Sequence, residues 1–211
     1  VIGEEERAAL IEASLQCWLT LGEFGDKFEA GLKKVLNVRD VILVNSGSSA
    51  NLVALTSLAS EMTPNRLQAG DEVITPAVTF PTTLAPIVQN NLVPVFVDCE
   101  IGTYNADIAA VEAAVSPKTR AIMLPHTLGN VFDLDRVVEL CKKHKMFLIE
   151  DTCDALGSTW NGKPVGTFGD YGTISFYPAH HITMGEGGAV ITNKALHGRV
   201  ARSVRDWGRD C

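Results

Sequence analysis

The sequence predicts a three-layer α/β/α domain, with helices on both faces of a mainly parallel, seven-stranded sheet. Two patterns in its 211 residues carry that expectation. Seven short runs are apolar on both faces, as strands buried between helical layers must be. Stretches of helical periodicity separate several of them. A hydrophobic content of 46% with 20% charged residues gives such a domain an ordinary core.

The elements follow in order. The acidic segment 4–17 predicts an amphipathic helix that packs outside the repeating βα units. Phe28, Leu32 and Val35 then share a helical face, as do Ile108, Val111 and Val115, and Leu134, Val137 and Cys141. Strands are expected at 41–45, 72–75, 94–97, 120–124, 146–150, 172–176 and 188–192. No internal repeat, low-complexity tract or linker interrupts them, so residues 1–211 read as one cofactor-binding large domain. The sequence stops at Cys211 directly after RDWGRD, which reads as part of a longer protein lacking its C-terminal small domain.

Bulk charge narrows the function. A formal net charge of −7, with no cluster of Lys or Arg, argues against nucleic acid as a partner. No apolar run reaches the length of a membrane span, and residues 1–20 do not read as a signal peptide. Five scattered cysteines (Cys17, Cys99, Cys141, Cys153 and Cys211) form no disulfide framework, and the cytoplasm is the expected compartment.

Four segments carry chemistry. NSGSSANLVAL, from Asn45 to Leu55, follows a strand and opens a helix. Its serines and free N–H groups suit either an anion site or a capped helix start. Glu150 and Asp151 end an apolar strand, where a carboxylate can pair with a protonated ring nitrogen or cap a helix. Phe80 lies past another strand end and suits ring stacking or core packing. Finally SFYPAHHITMGEGG places His180 and His181 before a glycine turn. One of them can move protons near neutral pH; a metal site lacks a third ligand nearby, and a plain surface pair is the bland alternative.

Together, in this order and spacing, these segments resemble the sugar-nucleotide aminotransferases, a branch of the fold-type I pyridoxal phosphate enzymes whose large domain is aspartate-aminotransferase-like. The resemblance also runs through CWLTLGEFGDKFE, DEVITPAVTFPTT, PVFVDCEIGTYN and IEDTCDALGS. It implies that Ser48, Ser49 and Ser175 hold the cofactor phosphate, that Phe80 stacks on the pyridine ring and that Asp151 pairs with its nitrogen. Asp154 stands where the family usually has Gln or His beside the ring, and His180 stands where it has the cofactor-binding lysine.

Members of the family with this histidine are 3-dehydratases of 3,6-dideoxyhexose biosynthesis in lipopolysaccharide. The resemblance to them implies pyridoxamine phosphate as cofactor and CDP-4-keto-6-deoxyglucose as substrate, with His180 as base. It further implies a homodimer, a [2Fe–2S] centre whose first ligand is Cys211, and a separate reductase. Two other readings stay open: a GDP-4-keto-6-deoxymannose 3-dehydratase without a cluster, and a catalytically inactive subunit.

Overall fold

The computed structural model describes residues 2–209; Cys211 lies outside them. The chain runs α1 (Glu4–Leu15), α2 (Glu23–Leu36), β1 (Asp40–Val44), α3 (Gly47–Ala59), β2 (Glu72–Pro76), α4 (Pro81–Gln89) and β3 (Val93–Val97). It continues through α5 (Ile108–Ala113), β4 (Thr119–Pro125), α6 (Leu134–His144), β5 (Phe147–Asp151) and a small hairpin, β6 (Thr159–Trp160) and β7 (Lys163–Pro164). β8 (Tyr171–Ser175), β9 (Gly188–Thr192) and α7 (Ala195–Arg205) complete it.

The seven expected strands form one sheet in the order β1-β9-β8-β5-β4-β2-β3. Every pairing among β8, β5, β4, β2 and β3 is parallel, and β9 runs antiparallel to both its neighbours. All strands except β9 therefore end on the same side, and that side builds the site.

Alternation along the strands splits the core into layers. Val73, Ala121, Met123 and Ile149 pack with residues of α3 and α4, including Ala54, Leu55, Leu58 and Ile87. Ile74, Ile122, Leu124 and Leu148 pack on the other face with Val111 of α5 and Leu134, Val137 and Cys141 of α6. A third cluster joins Val41, Leu43, Ile174 and Ile191 to Leu32 and Leu36 of α2.

Two helix expectations need correction. Val35 is 74% exposed, while Phe28, Leu32 and Leu36 turn inward. The face of α2 is rotated because Glu29 is drawn in as well: its carboxylate accepts the Leu43 N–H at 3.1 Å and pairs with Arg202 at 3.1 Å. Arg202 and Arg205 in turn donate to the carbonyls of Val41 and Leu43. Side chains thus satisfy the open edge of β1, which would otherwise offer free backbone groups to another strand. The second correction concerns α1, which buries no residue; Leu10, Ile11 and Leu15 are all exposed, so no apolar face forms against the domain.

A polar knot at the base of the sheet gives the fold a pH dependence. Asp170 accepts the Leu148 N–H at 2.8 Å and pairs with Lys194, while buried His197 stacks on Tyr171. Burial pulls the His197 pKa below its ordinary 6.5, against the opposing pull of Asp170. A depressed histidine pKa favours the neutral form in the fold. Its contribution is complete above the unfolded value and is lost as pH falls through the lower, folded one. The urea midpoint should therefore fall on acidification below about pH 6.5. His197→Phe, which keeps the ring stack, should flatten that slope; an unchanged slope would show that other groups set it.

Candidate active site

The strand ends and the loops after them enclose a cavity of about 610 Å³. Ser48, Phe80, Asp151, Asp154, Ser175 and His180 all line it, although they come from segments spread over more than half the chain. Ser49 does not: its N–H is held by the Ser46 hydroxyl at 3.1 Å, and its own hydroxyl lies 3.2 Å from that of Ser46. His181 is exposed and outside the cavity, whereas its neighbour His180 lines it.

The floor is the N-terminus of α3. Ser46 caps it and accepts from Ser49, and Ala50 bonds the Ser46 carbonyl. The N–H groups of Gly47 and Ser48 have no partner among the described residues. They point a positive helix end at the cavity, which favours an anion. Gly47 is required there, since a Cβ at that position would stand 2.6 Å from the Ser175 Cβ and 2.9 Å from the Cys153 sulfur. Gly47→Ala should therefore lower the melting temperature, overpacking of this kind being worth about 1–3 kcal/mol. It should also weaken the affinity of the full-length protein for a phosphate-bearing ligand, measured by equilibrium dialysis. Unchanged affinity would remove α3 from the anion site.

The wall is Asp151, the last residue of β5. It caps no helix: Oδ1 takes the Cys153 N–H at 3.2 Å, and Oδ2 takes Asn51 Nδ2 and Thr83 Oγ1, both at 2.8 Å. Thr173 Oγ1 donates to Asn51 Oδ1 at 2.6 Å, which fixes the amide so that its NH₂ faces Asp151. The carboxylate is only 6% exposed, yet its donors are all neutral. A buried charge without a cation calls for one. A protonated pyridine nitrogen in the cavity would supply it, and the α3 N-terminus offers the anion site that a phosphate would need. The residues present thus fit a pyridoxal-type cofactor.

Strand alternation sends Glu150 to the opposite face. It is fully buried and accepts N–H groups from Gly166, Phe168 and Gly169 at 2.7–2.8 Å, besides facing His126 Nε2 at 3.1 Å. It fastens the loop before β8 and takes no part in the cavity. His126, stacked on Phe132 with centroids 4.2 Å apart, lines the cavity instead. Cys153 lines it too, and burial followed by the Asp151 charge holds its thiol well above the ordinary 9.0, so it stays protonated.

The roof is formed by His180, 21% exposed at its side chain, with Tyr177, Ala179 and Glu186. Phe80, the N-cap residue of α4, is 69% exposed at the rim, where an incoming ring could meet it. Asn51 and Thr83, which line the cavity and bond the Asp151 carboxylate, are the site residues that sequence reading missed. Their signal was a polar side chain on the buried face of a helix. Among the described residues no three His, Cys, Asp or Glu side chains group to hold a metal, and no helix is long and apolar enough to cross a membrane.

Comparison with known proteins agrees with this architecture. The model of the DegT/DnrJ/EryC1/StrS aminotransferase family matches residues 1–211. The chain is 56% identical, over its full length, to the lipopolysaccharide biosynthesis protein RfbH of Salmonella typhimurium and covers 48% of it. It is also 56% identical over its full length to the dTDP-4-dehydro-2,6-dideoxy-D-glucose 3-dehydratase of Saccharopolyspora spinosa, covering 46%. The structure of an E. coli GDP-4-keto-6-deoxy-D-mannose 3-dehydratase with bound hydrated PLP superposes with a TM-score of 0.90 at 34% identity, over 97% of this chain and 51% of that one. The chain thus spans about half the length of these relatives, and its sheet is that of their aspartate-aminotransferase-like fold. The chain therefore belongs to the DegT/DnrJ/EryC1/StrS aminotransferase family.

Proposed function

We propose that this chain is the cofactor-binding large domain of a pyridoxamine-phosphate-dependent dehydratase that removes the C3 hydroxyl of a nucleotide-linked 4-keto-6-deoxyhexose. The observation that carries the reading is the group that lines the cavity together with the uncompensated Asp151. It is an imidazole, His180, and an imidazole cannot hold an aldehyde cofactor as an imine.

When bound, the cofactor supplies an amine for the C4 ketone of the sugar and a ring that takes up electron density. Gly47, Ser48 and Ser175 hold its phosphate through backbone N–H and hydroxyl groups. Asp151 keeps the proton on the ring nitrogen, with Asn51 and Thr83 holding the carboxylate in place. Phe80 covers the ring from the rim. His180 takes a proton at the C4′ carbon and returns one to the departing C3 hydroxyl. Positioned acid–base catalysis of this kind contributes roughly 10²–10⁴-fold.

The CDP-linked sugar is the substrate we favour, on the wording of SFYPAHHITMGEGG and DWGRDC. The GDP-linked sugar is the second reading, supported by the fold match to the GDP-sugar enzyme. A homodimer in the cytoplasm, with a separate reductase feeding a [2Fe–2S] centre, completes the proposal. The centre rests on Cys211, outside the described residues, and no step is assigned to it here.

The test mixes the full-length protein with pyridoxamine phosphate and each ketosugar nucleotide, without reductase, in tritiated water. Exchange at C4′ that depends on the CDP-sugar is the expected result. A visible band from a lysine-bound aldehyde cofactor, or no exchange with any sugar, would overturn the reading.

A further inference from the structure

We propose that Asp154 is the positioning residue of His180, holding one nitrogen of the imidazole so that the other faces the reacting carbon. Asp154 Oδ1 lies 3.3 Å from His180 Nδ1. Asp154 follows β5 and His180 follows β8, and both line the same cavity. The Asp154 carboxylate has no other ion-pair partner among the described residues, and a small turn of either side chain brings the 3.3 Å contact into line as a hydrogen bond.

The chemistry of the pair follows from its atoms. An ionised carboxylate only accepts hydrogen bonds, so it selects the tautomer with the proton on Nδ1. Nε2 is then left bare, as a base must be. Once Nε2 has taken a proton, the same carboxylate stabilises the imidazolium, as in other carboxylate–histidine pairs. The alternative role for Asp154, a bond to the oxygen on the cofactor ring, sets two acceptors against each other. The two positions at which this sequence departs from the family wording, His180 for lysine and Asp154 for Gln or His, are thus in contact with one another. A carboxylate is repelled by an ionised ring oxygen but suits an imidazole that gains charge.

Asp151, Glu186, His126, Cys153 and Tyr177 are the other titratable groups lining the cavity with the pair, and the Tyr177 ring centroid lies 6.3 Å from that of His180. Asp154 is the one in ion-pair reach of His180.

The inference rests on the proposed role of His180, so its test reads the imidazole directly. Full-length protein carrying [¹³Cε1]histidine and bound pyridoxamine phosphate is titrated by NMR, with His180→Asn assigning the resonance. Asp154→Asn should move the His180 titration to lower pH, because the opposite charge beside the imidazole is gone. Pyridoxamine phosphate affinity should stay within about threefold, because the side chain does not hold the ring. The rate of C4′ exchange should fall roughly tenfold or more, with the acid limb of its pH profile moving with the titration, and Asp154→Glu should recover part of it. An unmoved His180 titration in Asp154→Asn overturns the proposal, as does loss of cofactor affinity with the titration unmoved. If wild type shows no C4′ exchange while Asp154→Asn still shifts the titration, the pairing stands and the dehydratase reading falls.

Discussion

Full-length protein carrying His180→Asn is expected to bind pyridoxamine phosphate about as well as wild type while C4′ proton exchange falls by roughly 10²–10⁴-fold. The asparagine preserves polarity and much of the volume but carries no titratable nitrogen. His180 belongs to the roof of the cavity, not to the floor and wall, where Gly47, Ser48, Ser175 and Asp151 would take the cofactor's two charged ends. Its removal should therefore lower the rate and spare the affinity. Glu186 is the competing base, since it lines the same roof. Glu186→Gln is the matched control and should lose far less. If His180→Asn keeps exchange within a few-fold of wild type and Glu186→Gln does not, the base is the carboxylate.

The sequence made the strands legible because their side chains are buried on both faces, so apolar runs could mark them without alternation. The 188–192 strand has the bounds expected of it, and the others shift by a residue at one or both ends. The direction of β9 was harder to read. A parallel return from β8 needs a crossover helix, and residues 176–187 hold none, only a loop ending in the glycine turn. That absence was the available signal. Glu150 and Asp151 looked like a pair in the sequence, but a strand sends neighbours to opposite faces, so one fastens a loop and the other faces the cavity. Asn51 was hidden because helix α3 also carries Ser48, Ser49, Thr56 and Ser57; one more polar residue there has meaning only once Asp151 is seen 2.8 Å away. Val35 misled because an apolar count cannot foresee that Glu29 is drawn into the face.

Asp151→Asn should separate cofactor recognition from folding. The amide can place its oxygen where Oδ2 now takes Asn51 and Thr83, but its NH₂ then meets the Cys153 N–H, donor against donor. One lost backbone bond of this kind destabilises by about 1–3 kcal/mol, a modest fall in melting temperature. The effect on the ligand is larger, because the negative charge that would hold a protonated ring nitrogen is gone. A charged hydrogen bond is worth about 1.5–3 kcal/mol, so pyridoxamine phosphate should bind roughly 10- to 150-fold more weakly. With less charge drawn into the ring, C4′ exchange at saturating cofactor should fall as well, which a purely structural defect would not produce. In His180→Asn the rate falls and the affinity holds; in Asp151→Asn both fall. Isothermal titration beside an exchange assay distinguishes the two patterns. Wild-type affinity in Asp151→Asn would mean that the buried carboxylate serves the sheet alone.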